Sequence, residues 1–156
     1  MAEERRELQE AGYATLGQAV VGHVMISVVI APLVVGVLWL LGLIMQPGAG
    51  VGAIVVLGLV TTVASEVLMA LGERPAVVRA RHSAPGGWAY AMWVFVVPPL
   101  VGFAVGWWES PRVAVPTALA ALIVFWAVGL WSQPWKRGDS QAEVRAKWEA
   151  AKEMTA

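Results

Sequence analysis

Over residues 17–45 the chain reads GQAVVGHVMISVVIAPLVVGVLWLLGLIM, without one Asp, Glu, Lys or Arg. The stretch has neither the two-residue alternation of a strand nor a polar helical face, and a helix apolar all round must be buried in protein or in lipid. A bilayer core of about 30 Å is crossed by roughly 20 apolar residues in a helix, so this stretch is long enough with length to spare. Its surplus implies tilt, or a first turn standing in the headgroup layer. The preceding MAEERRELQE is mixed and net acidic. A secretory leader has a basic flank and an apolar run of only about 7–15 residues, so the segment is expected to stay as an anchor.

Three further apolar blocks follow, at 51–71, 88–108 and 113–131. A chain of 156 residues cannot hide four such helices behind a soluble shell, and its composition offers none: 58% hydrophobic, 14% charged, mean hydropathy +0.66. Soluble domains run at about 45–50% apolar and about 25% charged. The sequence therefore predicts an all-α membrane protein, a four-transmembrane-helix bundle spanning 17–131. A helical segment over 1–16 precedes it, and a tail over 132–156 carries a short amphipathic helix from about 140. In that tail Ser140 and Glu143 form a capping box, and Val144, Trp148 and Ala151 share a face suited to a partner or to the membrane surface. The composition excludes a disordered chain and a nucleic-acid-binding protein.

Eleven basic and eleven acidic residues cancel, but they are not evenly placed. Arg5 and Arg6, then Arg74, Arg79 and Arg81, then Lys136, Arg137, Arg145, Lys147 and Lys152 fall on one side, leaving Arg112 alone on the other. The positive-inside rule makes the crowded side cytoplasmic, so both termini and the 72–87 loop are expected inside a plasma (inner) membrane. Trp88, Tyr90, Trp131 and Trp135 would mark the inner interface, Trp107 and Trp108 the outer one. The two outer connections are short turns, too small for an extracellular domain.

Packing between such helices relies on small residues that let backbones approach. Gly102 and Gly106 form a GxxxG pair, Ala114, Ala118 and Ala121 share a face beside Thr117, and Gly58, Thr62 and Ser65 make a similar stripe. These fit either the interior of one bundle or a seam between subunits. Pro32, Pro98 and Pro99 lie mid-span, where each lacks the N–H that would bond four residues back, freeing the carbonyls of Val28, Val94 and Phe95. Broken helices of this kind serve transporters, and also helices that only bend. Pro116 is read as a first-turn proline, and 82–87 (HSAPGG) as a hinge between two helical hairpins.

One carboxylate lies inside a span. Glu66 shares a polar stripe with Thr62, Ser65 and Met69, while His23 and Ser27 share a face of the first helix. His23 is six residues from one end of its helix, roughly 9 Å at 1.5 Å per residue, and Glu66 about 8 Å from the same side of the second. The short turn makes these helices neighbours, so both side chains can occupy one layer. Together they suit a proton-accepting pair or a static clamp; otherwise Glu66 snorkels or pairs with Arg74, Arg79 or Arg81. The absence of cysteine and the presence of only two histidines leave no metal or cofactor site to propose. His82 reads as a solvated or headgroup residue. No Walker loop, HExxH, GxSxG or dinucleotide fingerprint occurs, so no enzyme is expected.

Three functions remain. The first is a non-catalytic bundle acting as subunit, assembly factor or scaffold of a larger membrane complex, with the bilayer and other membrane subunits or its own copies as partners. The second is a small oligomeric proton- or cation-coupled transporter or channel using Glu66 and His23. A lipid-modifying enzyme ranks third, for want of a nucleophile and base. The Ala/Val/Gly/Arg/Trp bias gives a compositional impression of a high-GC bacterium.

Overall fold

The computed structural model describes residues 16–45, 48–71 and 84–132. It contains four helices: α1 (Leu16–Met45), α2 (Val51–Ala70), α3 (Ala84–Glu109) and α4 (Pro111–Ser132). All four are long and apolar enough to cross a membrane. The N-terminal segment, the loop bearing Arg74, Arg79, Arg81 and His82, and the tail with Trp135 and its expected helix lie outside the described residues.

Each helix packs on the next and α4 closes back on α1, with α3–α4 and α1–α2 the most extensive pairs. The result is a ring of two antiparallel hairpins whose short turns lie at one end (the turn end) and whose open helix ends lie at the other (the tail end). In the first turn Gly48 has φ +80°, a left-handed conformation that glycine adopts without steric cost. The second turn is one residue, Ser110. Its N–H donates to Gly106 O at 2.9 Å, closing α3, and its carbonyl accepts from Val113 N at 3.0 Å, opening α4.

The helix bounds correct two expectations. Pro111, not Pro116, occupies the first turn of α4, because Pro at the first helical position loses only a bond that position would not make anyway. Pro116 sits a turn deeper and deprives Arg112 of its helical partner. The hinge expected over 82–87 is likewise shortened, since α3 begins at Ala84 and takes Pro85 into its first turn, where proline's fixed φ suits a helix. The expected span boundary at 88 was set by hydropathy, which marks where the apolar run begins and not where the helix begins.

The core is a column of Ile30, Val34 and Leu38 from α1, Ile54 and Leu57 from α2, and Val113, Ala120, Ala121, Val124 and Phe125 from α4. The small residues let the backbones close. A Cβ on Gly58 would lie 2.5 Å from Val35 Cγ2 of α1, so that glycine seats the α1–α2 contact. Gly102 and Gly106 face α4 of the same chain, against Thr117, Ala118 and Ala121 and against Val113 and Ala114. Outward-facing apolar side chains, among them Val21, Met25, Val28 and Val29 of α1, are what a helix shows to lipid. Trp107 and Trp108 at the turn end and Trp131 at the tail end are exposed, as interfacial aromatics are.

The prolines meet different environments. Pro32 lies on the outward face of α1, whereas Pro98 is fully buried. The carbonyl that Pro99 frees, that of Phe95, accepts a hydrogen bond from Trp126 Nε1 of α4 at 2.9 Å, and the two rings meet edge to face at 5.2 Å. An indole N–H thus stands in for the missing backbone N–H. Trp126→Phe keeps the ring contact and removes the donor, and is expected to cost about 1–2 kcal/mol in detergent, read as a fall in Tm. An unchanged Tm would show that the indole contributes only packing.

Candidate functional site

The second helix turns one continuous face inward: Gly58, Thr61, Thr62, Ser65, Glu66 and Met69 are all buried. Residues three and four apart stack on one side of a helix, so this spacing gathers nearly all the polar groups of α2 into a single column. Facing it, α1 contributes His23 and Ser27 from its own buried side.

His23 and Glu66 meet. Nδ1 of His23 lies 2.6 Å from Oε2 of Glu66, the N–H donating to the carboxylate. The side chains are 16% and 4% exposed, so the bond is made almost entirely away from solvent. A hydrogen bond with a charged partner contributes roughly 1.5–3 kcal/mol, and here it ties the tail ends of α1 and α2 together. Of the three arrangements open to Glu66 in the sequence, the described residues show contact with the histidine; the loop arginines lie outside them.

The remaining polar residues of the stripe do not join that bond. Ser27 Oγ donates to His23 O at 3.1 Å and Thr62 Oγ1 to Gly58 O at 2.7 Å. Each satisfies its hydroxyl on its own helix, four residues back. Ser65 Oγ is buried without a hydrogen-bond partner among the described residues, and so is Thr61 Oγ1. Thr61 was not singled out in the sequence, although its place one turn before Ser65 was a usable signal. Trp126 was missed as well, because nothing in the spacing says which donor will reach a freed carbonyl.

No group of three or more His, Cys, Asp or Glu is assembled among the described residues. A separate groove of about 410 Å³ opens between α2 and α3 toward the turn end, where Val56, Leu57 and Val60 face Ala104, Val105 and Trp108, with Glu109 at the rim. It is apolar and lies more than a turn from the His23–Glu66 layer.

No family model matches the chain, and no curated protein or solved structure matches it. The reading of function therefore rests on the chemistry of these side chains alone. That chemistry comprises a mutually engaged acid and base, helix-tying hydrogen bonds, and two hydroxyls left over.

Proposed function

We propose that this protein is a multi-pass plasma-membrane protein with both termini cytoplasmic. In this reading it works without catalysis as a subunit, assembly factor or scaffold of a larger membrane complex. The observation that carries the reading is the mutual engagement of His23 and Glu66 at 2.6 Å, which joins two helices of one bundle. The Trp126–Phe95 bond joins the other two in the same sense. The orientation rests on the ten-to-one distribution of Lys and Arg, and the tail around Val144 and Trp148 is the proposed docking element. Purification of a tagged full-length chain from its native membrane in mild detergent, followed by mass spectrometry, is expected to recover partners in fixed stoichiometry. A bare monomer under several gentle conditions would count against the reading.

A second reading has its own support. An imidazole and a carboxylate in contact inside a span are groups that can pass a proton, and intramembrane ionisable residues often mark ion pathways. In that reading the chain is a small oligomeric proton- or cation-coupled transporter, with Glu66 and His23 as its site. Proteoliposomes report on it directly. Glu66→Gln and His23→Ala would each abolish a proton or cation flux shown by the wild-type protein, and Glu66→Gln, which keeps an acceptor for His23 Nδ1, would do so while leaving reconstitution intact. Flux unchanged in both variants would sink it.

A further inference from the structure

Each hairpin is drawn tight by glycine. Gly58 seats α2 on α1, and Gly102 and Gly106 seat α3 on α4. Toward the turn end the seam between the hairpins has no such close approach among the described residues, and a Cβ on Gly50 or Gly52 would meet nothing within 4 Å. With the glycines of α3 turned to α4, its side toward α2 carries Val105 and Trp108, and bulky side chains hold backbones apart. The space left is the groove of about 410 Å³, within the range of about 300–1,000 Å³ usual for small-ligand sites. Leu57 is buried at its floor, while Val56, Val60 and Ala104 are exposed along its walls. The groove therefore opens outward, toward what surrounds a bundle of membrane-spanning helices.

Its polar groups stand at one end. Ala104 lies five residues in from Glu109, the last residue of α3, which is about 7.5 Å at 1.5 Å per residue and well inside one leaflet of a core about 30 Å thick. Glu109 is exposed at the mouth, and no cation among the described residues engages it. Arg112, the one Lys or Arg among them, makes no ion pair with it across the Ser110 turn. Trp108, 92% exposed, stands on the same rim, whereas Trp107 is stacked on Phe103 with ring centroids 5.7 Å apart. An apolar trough with a carboxylate and an indole at its outer end is complementary to an amphiphile with a cationic head.

We propose that this groove holds one acyl chain of a membrane phospholipid whose headgroup carries a primary ammonium, which donates to the Glu109 carboxylate. A hydrogen bond to a carboxylate is charge-assisted, about twice as strong as one between neutral groups, and an –NH3+ offers three donors. A quaternary ammonium offers none. It is recognised by cages of aromatic rings, and here one indole stands beside a carboxylate. An anionic headgroup brings the wrong sign to Glu109. Arg112, exposed in the first turn of α4, lies at the same end of the bundle for the phosphate that all these lipids share. The inference is independent of both readings of function and requires only that the four helices stand in a bilayer.

Full-length protein in mild detergent, titrated with dioleoyl phospholipids and read by native mass spectrometry, tests the headgroup. Phosphatidylethanolamine and phosphatidylcholine share chains, phosphate and net charge, and differ in whether the ammonium can donate. The first is expected to bind about 5–10-fold more tightly, the order of one charge-assisted hydrogen bond at an exposed site. Glu109→Gln, an isosteric change at an exposed position, is expected to bring the two within about twofold of each other and to leave Tm unchanged. Equal binding of the two lipids to the wild-type protein, tighter binding of phosphatidylglycerol, or a preference that survives Glu109→Gln would each overturn the proposal. Location is read separately, with a phosphatidylethanolamine that carries a photoreactive diazirine in its acyl chain. Crosslinks are expected around Val60 and Ala104, and their loss is expected in Ala104→Phe, which fills the groove. Should that variant not fold, Val56→Trp fills the groove from the other wall. Crosslinks that spread evenly over the outward face of α1, or that persist in the filled variants, would overturn the proposal. So would a wild-type dimer that the filled variants split, because the groove would then be occupied by a second copy of the chain.

Discussion

Gly106→Ala is expected to force α3 and α4 apart and to lower Tm sharply. The added Cβ would sit 2.7 Å from Ala114 Cα, 2.8 Å from Val113 O and 2.9 Å from Thr117 Oγ1. Two of those three atoms are backbone, so no rotamer change relieves the overlap and a helix must shift. Overpacking of this kind costs typically about 1–3 kcal/mol and more where backbone moves. Gly102→Ala, whose Cβ would lie 2.8 Å from Thr117 O, belongs to the same class. Gly36→Ala supplies the contrast, because a Cβ there meets nothing within 4 Å. It removes a helix-interior glycine and is expected to gain up to about 1 kcal/mol. Differential scanning fluorimetry on intrinsic tryptophan separates the two classes, and equal Tm values for Gly106→Ala and Gly36→Ala would refute the close α3–α4 seam.

His23→Ala is expected to be the most damaging change in the polar layer. It leaves the Glu66 carboxylate, 4% exposed, without the N–H that faces it. Removing one partner of a buried pair costs about 3–5 kcal/mol, chiefly because the other charge remains buried and uncompensated. The 16% exposure of His23 places the expectation at the lower end of that range, since some water reaches the site. Glu66→Gln keeps an oxygen to accept from Nδ1 and is expected to cost clearly less. The double change to alanine at both positions is expected to be milder than the sum of the single changes, because no orphaned charge is left. A thermodynamic cycle over the four proteins measures that coupling, and a value near zero would mean that the pair contributes nothing to stability.

The four spans were readable in the sequence because lipid imposes one strong constraint. Every backbone polar group must be satisfied inside its own segment, so spans appear as uninterrupted apolar blocks. Helix ends were less readable. Ser110 alone forms the second turn, within a stretch that Glu109 and Arg112 made look like a longer loop. At the site, the depths of His23 and Glu66 followed from helix rise and topology, and so did their shared layer. Which of them faces the other depends on rotation about each helix axis, and period alone does not fix that angle. The same limit explains Trp126. Pro99 declares in the sequence that the Phe95 carbonyl is freed, yet the donor that reaches it lies on another helix at a separation no local pattern encodes.

The one-residue turn at Ser110 also bears on how the molecule is made. Gly106 meets Ala114 and Gly102 meets Ala118 across it, contacts between residues close along the chain, so little loop entropy is lost in forming them. The α3–α4 pair is therefore suited to enter the bilayer already zipped, as one helical hairpin. The His23–Glu66 bond joins residues 43 apart and can form only after both α1 and α2 are in place. Local contacts that form fast and a distant polar bond that forms late give the chain an order of assembly, with the second hairpin closing on itself and the first locked by its acid and base.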